Sequence, residues 1–192
     1  MLVSGGGTNL QAILDAQQSG IITAGEVKLV ISNKEGAYAL TRAEKAGVKG
    51  LTLTRKQCGG QEAFEAAMIA ALEEEKIDLI VLAGFLSILS ENFTRKYDHR
   101  ILNIHPSLIP SFCGAGFYGL KVHEAALARG VKVTGATVHY VNEIPDGGEI
   151  IAQKAVEILD GDTPEILQKR VMEQAEWVIL PQSIEKVCQG RV

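Results

Sequence analysis

Two polar side chains at the end of an apolar run are the first residues that could do chemistry. In Ile101-Leu-Asn-Ile-His-Pro-Ser-Leu-Ile-Pro110, Asn103 and His105 stand two residues apart, so an extended backbone puts both on one face. An amide donor beside a titratable imidazole can stabilise charge growing on a carbonyl oxygen and handle a proton, the two tasks of acyl transfer. Asp146, in Ile144-Pro-Asp-Gly-Gly148, supplies a carboxylate in a turn between two β-branched segments. Taken singly, His105 reads as a satisfied histidine before a turn and Asp146 as an ordinary Asp-Gly turn. Only the combination points to a site.

A second motif, Ser4-Gly-Gly-Gly-Thr-Asn-Leu-Gln11, lies between the first apolar residues and the first helical pattern. At that place an α/β sheet presents backbone N–H groups and a helix dipole to a phosphate. Gly7 and its neighbours let the backbone approach, while Thr8 and Asn9 have side chains for capping the helix or bonding phosphate oxygens. The loop lacks the Lys-Ser/Thr of a Walker A motif and the spacing of a dinucleotide fingerprint. A tight strand-to-helix turn explains it equally well, and its position at a strand's C-terminal end favours binding. Further along, Leu86 and Leu89 have the spacing of helical core residues, yet Gly84 breaks the strand where a flat ring could approach the backbone. His139 shares a face with Thr137 and Val141, as a core histidine or a partner of Asp146. His99 and His123 carry no motif and read as surface or structural.

These groups need a scaffold. Strand-like segments at 27–31, 50–53, 79–83 and 101–104 alternate with helical periods at 9–18, 38–46, 61–75 and 90–97. That alternation predicts a parallel sheet with helices on both faces. A helix at 120–129 closed by Gly130, strands at 133–141 and 149–158, and a last helix over 163–187 complete the pattern. Asp162-Thr-Pro-Glu165 suits the start of that helix. Only residues 1–4 precede the glycine loop, so the first strand is expected to be short.

With 192 residues and 46% hydrophobic content, one domain spanning 1–192 is expected. A net charge of -4 without a basic run argues against nucleic acid. Cys58, Cys113 and Cys188 read as free thiols of a reducing cytosol, and no His, Cys or carboxylate spacing suggests a metal. No apolar run is long enough for a membrane span and no leader pattern opens the chain, so a soluble cytoplasmic protein is expected.

On the residues of Ser4–Gln11, Leu82-AGFLSILS-Ser90, Ile101–Phe112, Gly135-ATVHYV-Val141 and Asp146-Gly-Gly148, the whole chain resembles the folate-dependent glycinamide ribonucleotide formyltransferases of purine synthesis. The resemblance implies a Rossmann-like, doubly wound, mostly parallel sheet with an antiparallel C-terminal strand pair. It implies transfer of a formyl group from 10-formyltetrahydrofolate, a co-substrate, to the amine of glycinamide ribonucleotide, without a metal, by a monomer or homodimer. Asn103, His105 and Asp146 would be catalytic, with His139 supporting them. Gly7, Thr8 and Asn9 would hold the phosphate, and Glu176 would contact the ribose. The folate would enter beside Phe85, Leu86, Ile88 and Leu89, with the pterin meeting backbone near Leu89 and the loop from Val141 and Asn142 to Asp146. Position 87 is Ser where several relatives carry Arg, and the glycine-rich segment 113–119 suggests a mobile flap. A formyltetrahydrofolate hydrolase is the alternative reading. The glycine loop and Glu176 count against it, because a hydrolase has no need of a ribonucleotide phosphate site.

Overall fold

The structure, a computed structural model, describes all residues 1–192. In chain order its elements are β1 (Leu2–Val3), α1 (Thr8–Gln18), β2 (Leu29–Ser32), α2 (Tyr38–Lys45), β3 (Lys49–Thr52), α3 (Arg55–Cys58), α4 (Gln61–Glu74) and β4 (Ile80–Leu82). There follow α5 (Glu91–Lys96), β5 (Ile101–His105), α6 (Leu120–Arg129), β6 (Val133–Tyr140), β7 (Ile150–Glu157), α7 (Pro164–Val171), a π-helical turn (Met172–Glu176) and α8 (Trp177–Cys188). The seven strands form one sheet in the order β3-β2-β1-β4-β5-β6-β7. Strands β1 to β5 are parallel, and β6 runs antiparallel to both β5 and β7. The expected mostly parallel, doubly wound sheet with an antiparallel C-terminal pair is therefore present.

The two-residue side-chain period of the central strands divides the core. Val3, Val30, Val81 and Leu102 join one apolar cluster with Leu10 and Ile13 of α1 and Ile179, Leu180 and Ile184 of α8. Leu2, Leu29, Ile31, Ile80, Leu82 and Ile101 face the other side, with Phe64 and Met68 of α4 and Phe93 of α5. Burying each of these large side chains contributes roughly 1.5–3 kcal/mol, so both helical layers are held to the sheet by transfer out of water. The first strand is as short as expected, but its ladder begins one residue earlier: Met1 N donates to Leu29 O at 2.8 Å and Ile31 N donates to Met1 O at 2.9 Å.

Two features depart from the expected pattern. The short helix α3 escaped the periodicity because a four-residue helix has none. Its signal was the capping box, in which Thr54 Oγ1 accepts from Gln57 N and the Gln57 side chain accepts from Thr54 N. The last helix, expected as one piece, widens into the π turn at Met172–Glu176 before continuing through Pro181. Proline has no N–H, so the Trp177 carbonyl loses its helical partner directly after the wide turn. Thr163 caps α7 as the sequence suggested, accepting from Ile166 N, with Pro164 in the first turn.

Candidate active site

The strand order reverses direction between β1 and β4, because the chain winds outward to β2 and β3 and then returns to β4 and β5. The loops leaving the C-terminal ends of β1, β4 and β5 therefore flank one crevice, where open α/β sheets bind ligands. One hydrogen bond joins two of these loops directly: Leu86 N donates to Ser4 Oγ at 2.8 Å.

Asn103 and His105 project from the end of β5, and Asp146 reaches them from the loop joining β6 to β7. His105 Nδ1 lies 3.5 Å from Asp146 Oδ2, and Asn103 Nδ2 donates to Asp146 Oδ1 at 3.5 Å. The Asp146 backbone is left-handed, with φ of 56°, a conformation that Asp tolerates because its short polar side chain can bond locally. Gly148 makes this loop possible, since a Cβ there would lie 1.8 Å from the Tyr140 carbonyl oxygen. The connection is a loop of nine residues and not the two-residue Asp-Gly hairpin that the dipeptide by itself suggests.

Hydrogen bonding fixes the state of each ring. His139 Nδ1 donates to the Tyr140 carbonyl at 2.7 Å, which leaves Nε2 as the acceptor for Asn103 Nδ2 at 3.1 Å. His139 thus aims the Asn103 amide, and its Nε2 is also 3.6 Å from Asp146 Oδ1. His105 Nε2 donates to the Phe112 carbonyl at 2.9 Å, so its Nδ1 faces the carboxylate. Burial lowers the His105 pKa, opposed by the charge of Asp146 and the Phe112 carbonyl. At Asp146 burial pushes upward, but the neighbouring His139 and His105 rings and the Gly114 N–H together hold it below the ordinary carboxylate value. The outcome is a carboxylate that stays ionised beside a ring able to take a proton at Nδ1.

At the glycine loop, Gly7 has φ of 72°, and a Cβ there would come within 2.7 Å of Ala39 Cβ. Neither Thr8 nor Asn9 caps α1. Helix α1 begins at Thr8, Gly7 is its N-cap, and no side chain fills that role. The first N–H groups of the helix are therefore left without intrahelical acceptors and carry the positive end of its dipole. Thr8 Oγ1 rests 3.9 Å from Met172 Sδ, and buried Asn9 donates through Nδ2 to Glu176 Oε2 at 2.7 Å. The π turn is what presents Glu176 here, against Asn9 of α1. Burial raises the Glu176 carboxyl to about 7, against the lowering effect of Asn9. Arg42, which carried no sequence signal, braces the loop by donating to Gly6 O and Gln11 Oε1, each at 2.9 Å.

On the opposite wall Leu86 and Ile88 are 53% and 70% exposed, on a segment with no helix. The core reading of Leu86 from helical spacing fails because Gly84, with φ of 66°, turns the chain out of β4. Leu89 points the other way, its side chain buried with Phe93 and Met68. Phe85 and Val141 are partly buried against the same cluster, and Asn142 Oδ1 accepts from Ile144 N at 3.0 Å. The segment after His105 is tied down from β6 and from the β6–β7 loop. Thr137 Oγ1 donates to Ser107 O at 2.7 Å and accepts from Ile109 N at 3.1 Å, and Gly114 N donates to Asp146 Oδ2 at 2.8 Å. His123 is fully buried beside His105 with neither ring nitrogen hydrogen-bonded, and burial lowers its pKa to about 4. No three His, Cys, Asp or Glu side chains gather as a metal-binding group, and no helix is long and apolar enough to cross a membrane.

The family profile described as formyl transferase matches residues 1–184. The chain belongs to the formyl transferase family. Within that family, the phosphoribosylglycinamide formyltransferase of Haemophilus influenzae is 41% identical over the whole chain, which covers 87% of that protein. The chicken trifunctional purine biosynthetic protein adenosine-3 is 45% identical, and the chain spans 18% of its length. The crystal structure of glycinamide ribonucleotide transformylase 1 from Symbiobacterium toebii superposes with a TM-score of 0.92 at 43% identity, covering 99% of this chain and 86% of that one.

Proposed function

We propose that this formyl transferase moves the formyl group of 10-formyltetrahydrofolate onto the primary amine of glycinamide ribonucleotide. The observation that carries the reading is the convergence of Asn103, His105 and Asp146 at the crevice that also holds the glycine loop. The phosphate sits on the free N–H groups of Gly7, Thr8 and Asn9, and Glu176 takes the ribose. The folate lies along Phe85, Leu86 and Ile88, the backbone at Leu89, and the loop from Val141 and Asn142.

The amine nitrogen attacks the formyl carbon, forming the new C–N bond and an oxyanion. Asn103 Nδ2, aimed by His139, donates to that oxygen, and the protonated His105 ring stabilises it further. The Phe112 carbonyl now holding His105 Nε2–H must give way if that nitrogen is to serve. Asp146 accepts a proton from the attacking nitrogen, directly or through water, and a proton passes to the departing folate nitrogen as its bond to the formyl carbon breaks. Holding both substrates in one crevice supplies the orientation, so no covalent enzyme intermediate is required.

The test is the absorbance change as 10-formyltetrahydrofolate loses its formyl group, followed with and without glycinamide ribonucleotide. Deformylation that depends on the ribonucleotide supports the transferase. Deformylation without it would replace this reading by a hydrolase.

A further inference from the structure

Glu65 is a buried acid with no part in the proposed chemistry. It sits on α4 between Phe64 and Met68, 7% exposed, at the edge of the apolar cluster that also holds Leu89 and Phe93. A carboxyl group in such a place costs free energy unless its lone pairs are used. Here they are: Oε1 accepts from Ser90 N at 2.7 Å and Gln61 Nε2 at 2.5 Å, and Oε2 pairs with the Ser90 hydroxyl. Gln61 Nε2 also donates to the Ile88 carbonyl at 3.2 Å, where Arg55 Nη2 adds a donation at 3.3 Å. The segment from Gly84 to Ser90 has no helical or strand bonding of its own. Its position rests on these ties, on Leu86 N to Ser4 Oγ, and on Asn33 Nδ2 to Ser87 Oγ at 2.6 Å.

We infer that Glu65 is a positioning residue for the formylfolate: by holding Ser90 directly and the Ile88 carbonyl through Gln61, it keeps Leu86 and Ile88 outward as one wall of the crevice. Capping of α5 does not account for it, because the Ser90 hydroxyl already caps that helix by accepting from Phe93 N. Nor does packing, since an apolar residue would fill the same space without needing three polar partners. The inference rests on the folate site proposed above.

The experiment is a graded series, E65A, E65Q and Q61A, with steady-state kinetics in each substrate and hydrogen exchange of the backbone amides. Removing these buried hydrogen bonds predicts a rise of about tenfold or more in the formylfolate KM for E65A, with the ribonucleotide KM within about twofold. E65Q, which keeps the size and one acceptor, should recover part of the loss, and Q61A should show a smaller effect in the same direction. Exchange at residues 86–90 should quicken while that of β4 and β5 does not. Equal losses for both substrates with faster exchange throughout would make Glu65 a residue of stability alone and overturn the inference. Unchanged kinetics and exchange would overturn it as well. Exchange is read without substrates, so a failure of the proposed function leaves the clamp independently tested.

Discussion

Replacing Glu176 by glutamine should change how stability depends on pH more than it changes stability itself. In the folded protein the carboxyl is buried against α1 and titrates at about 7, whereas an exposed carboxyl titrates near 4.5. Between those values the folded state holds a proton that the unfolded chain has released. Stability contributed by this group is therefore present at low pH and falls as pH rises from about 4.5 to about 7. The gap between the two values corresponds to about 3 kcal/mol over the full window, at about 1.4 kcal/mol per pH unit. Most of it, about 2–3 kcal/mol, is lost between pH 5 and pH 8. The amide introduced by E176Q has no charge to bury and keeps an oxygen that accepts from Asn9 Nδ2. The difference between wild type and E176Q isolates this one group, because every other titration is common to both. Urea unfolding at pH 5, 6, 7 and 8 measures it: with a slope of about 1–3 kcal/mol per molar, the two midpoints should diverge by roughly 1 M or more toward pH 8. Parallel midpoints across that range would refute the argument that ionising Glu176 costs the folded protein stability.

Two further changes probe the site. D146N keeps the shape of the carboxyl but removes its charge and basicity, so kcat should fall by about 10²–10⁴ with little change in the ribonucleotide KM; a near wild-type kcat would remove Asp146 from proton transfer. G7A forces a side chain into a left-handed backbone and against Ala39. It should raise the ribonucleotide KM at least about tenfold by moving the N–H groups at the start of α1, while the formylfolate KM stays near wild type. Isothermal titration with the ribonucleotide checks it, and undiminished binding would mean that the loop does not hold the phosphate.

Alternation of apolar strands with helical periods was enough to indicate the sheet and its two helical layers, because burial on both faces leaves a continuous β-branched run in each central strand. The spacing of Asn103 and His105 fixed their common face for the same local reason, a period of two. Chain-local pattern could not reach further. That Asp146 lies 3.5 Å from His105 depends on the antiparallel register of β6 on β5 and on a nine-residue loop which only tertiary packing shapes. Leu86 and Leu89 have equivalent sequence credentials but opposite fates, since the positive φ of Gly84 sends one to solvent and the other to the core. Nothing local in the sequence marks Glu176 or Glu65 for burial. The π turn before Pro181 and the packing of α4 bury them against polar partners 167 and 25 residues away, at Asn9 and Ser90. Local propensity and periodicity determined the elements and the faces of the catalytic strand. The pairing of distant polar groups, and with it the charge state of the site, was decided by the closed tertiary structure, because desolvation acts only once the surrounding elements have excluded water.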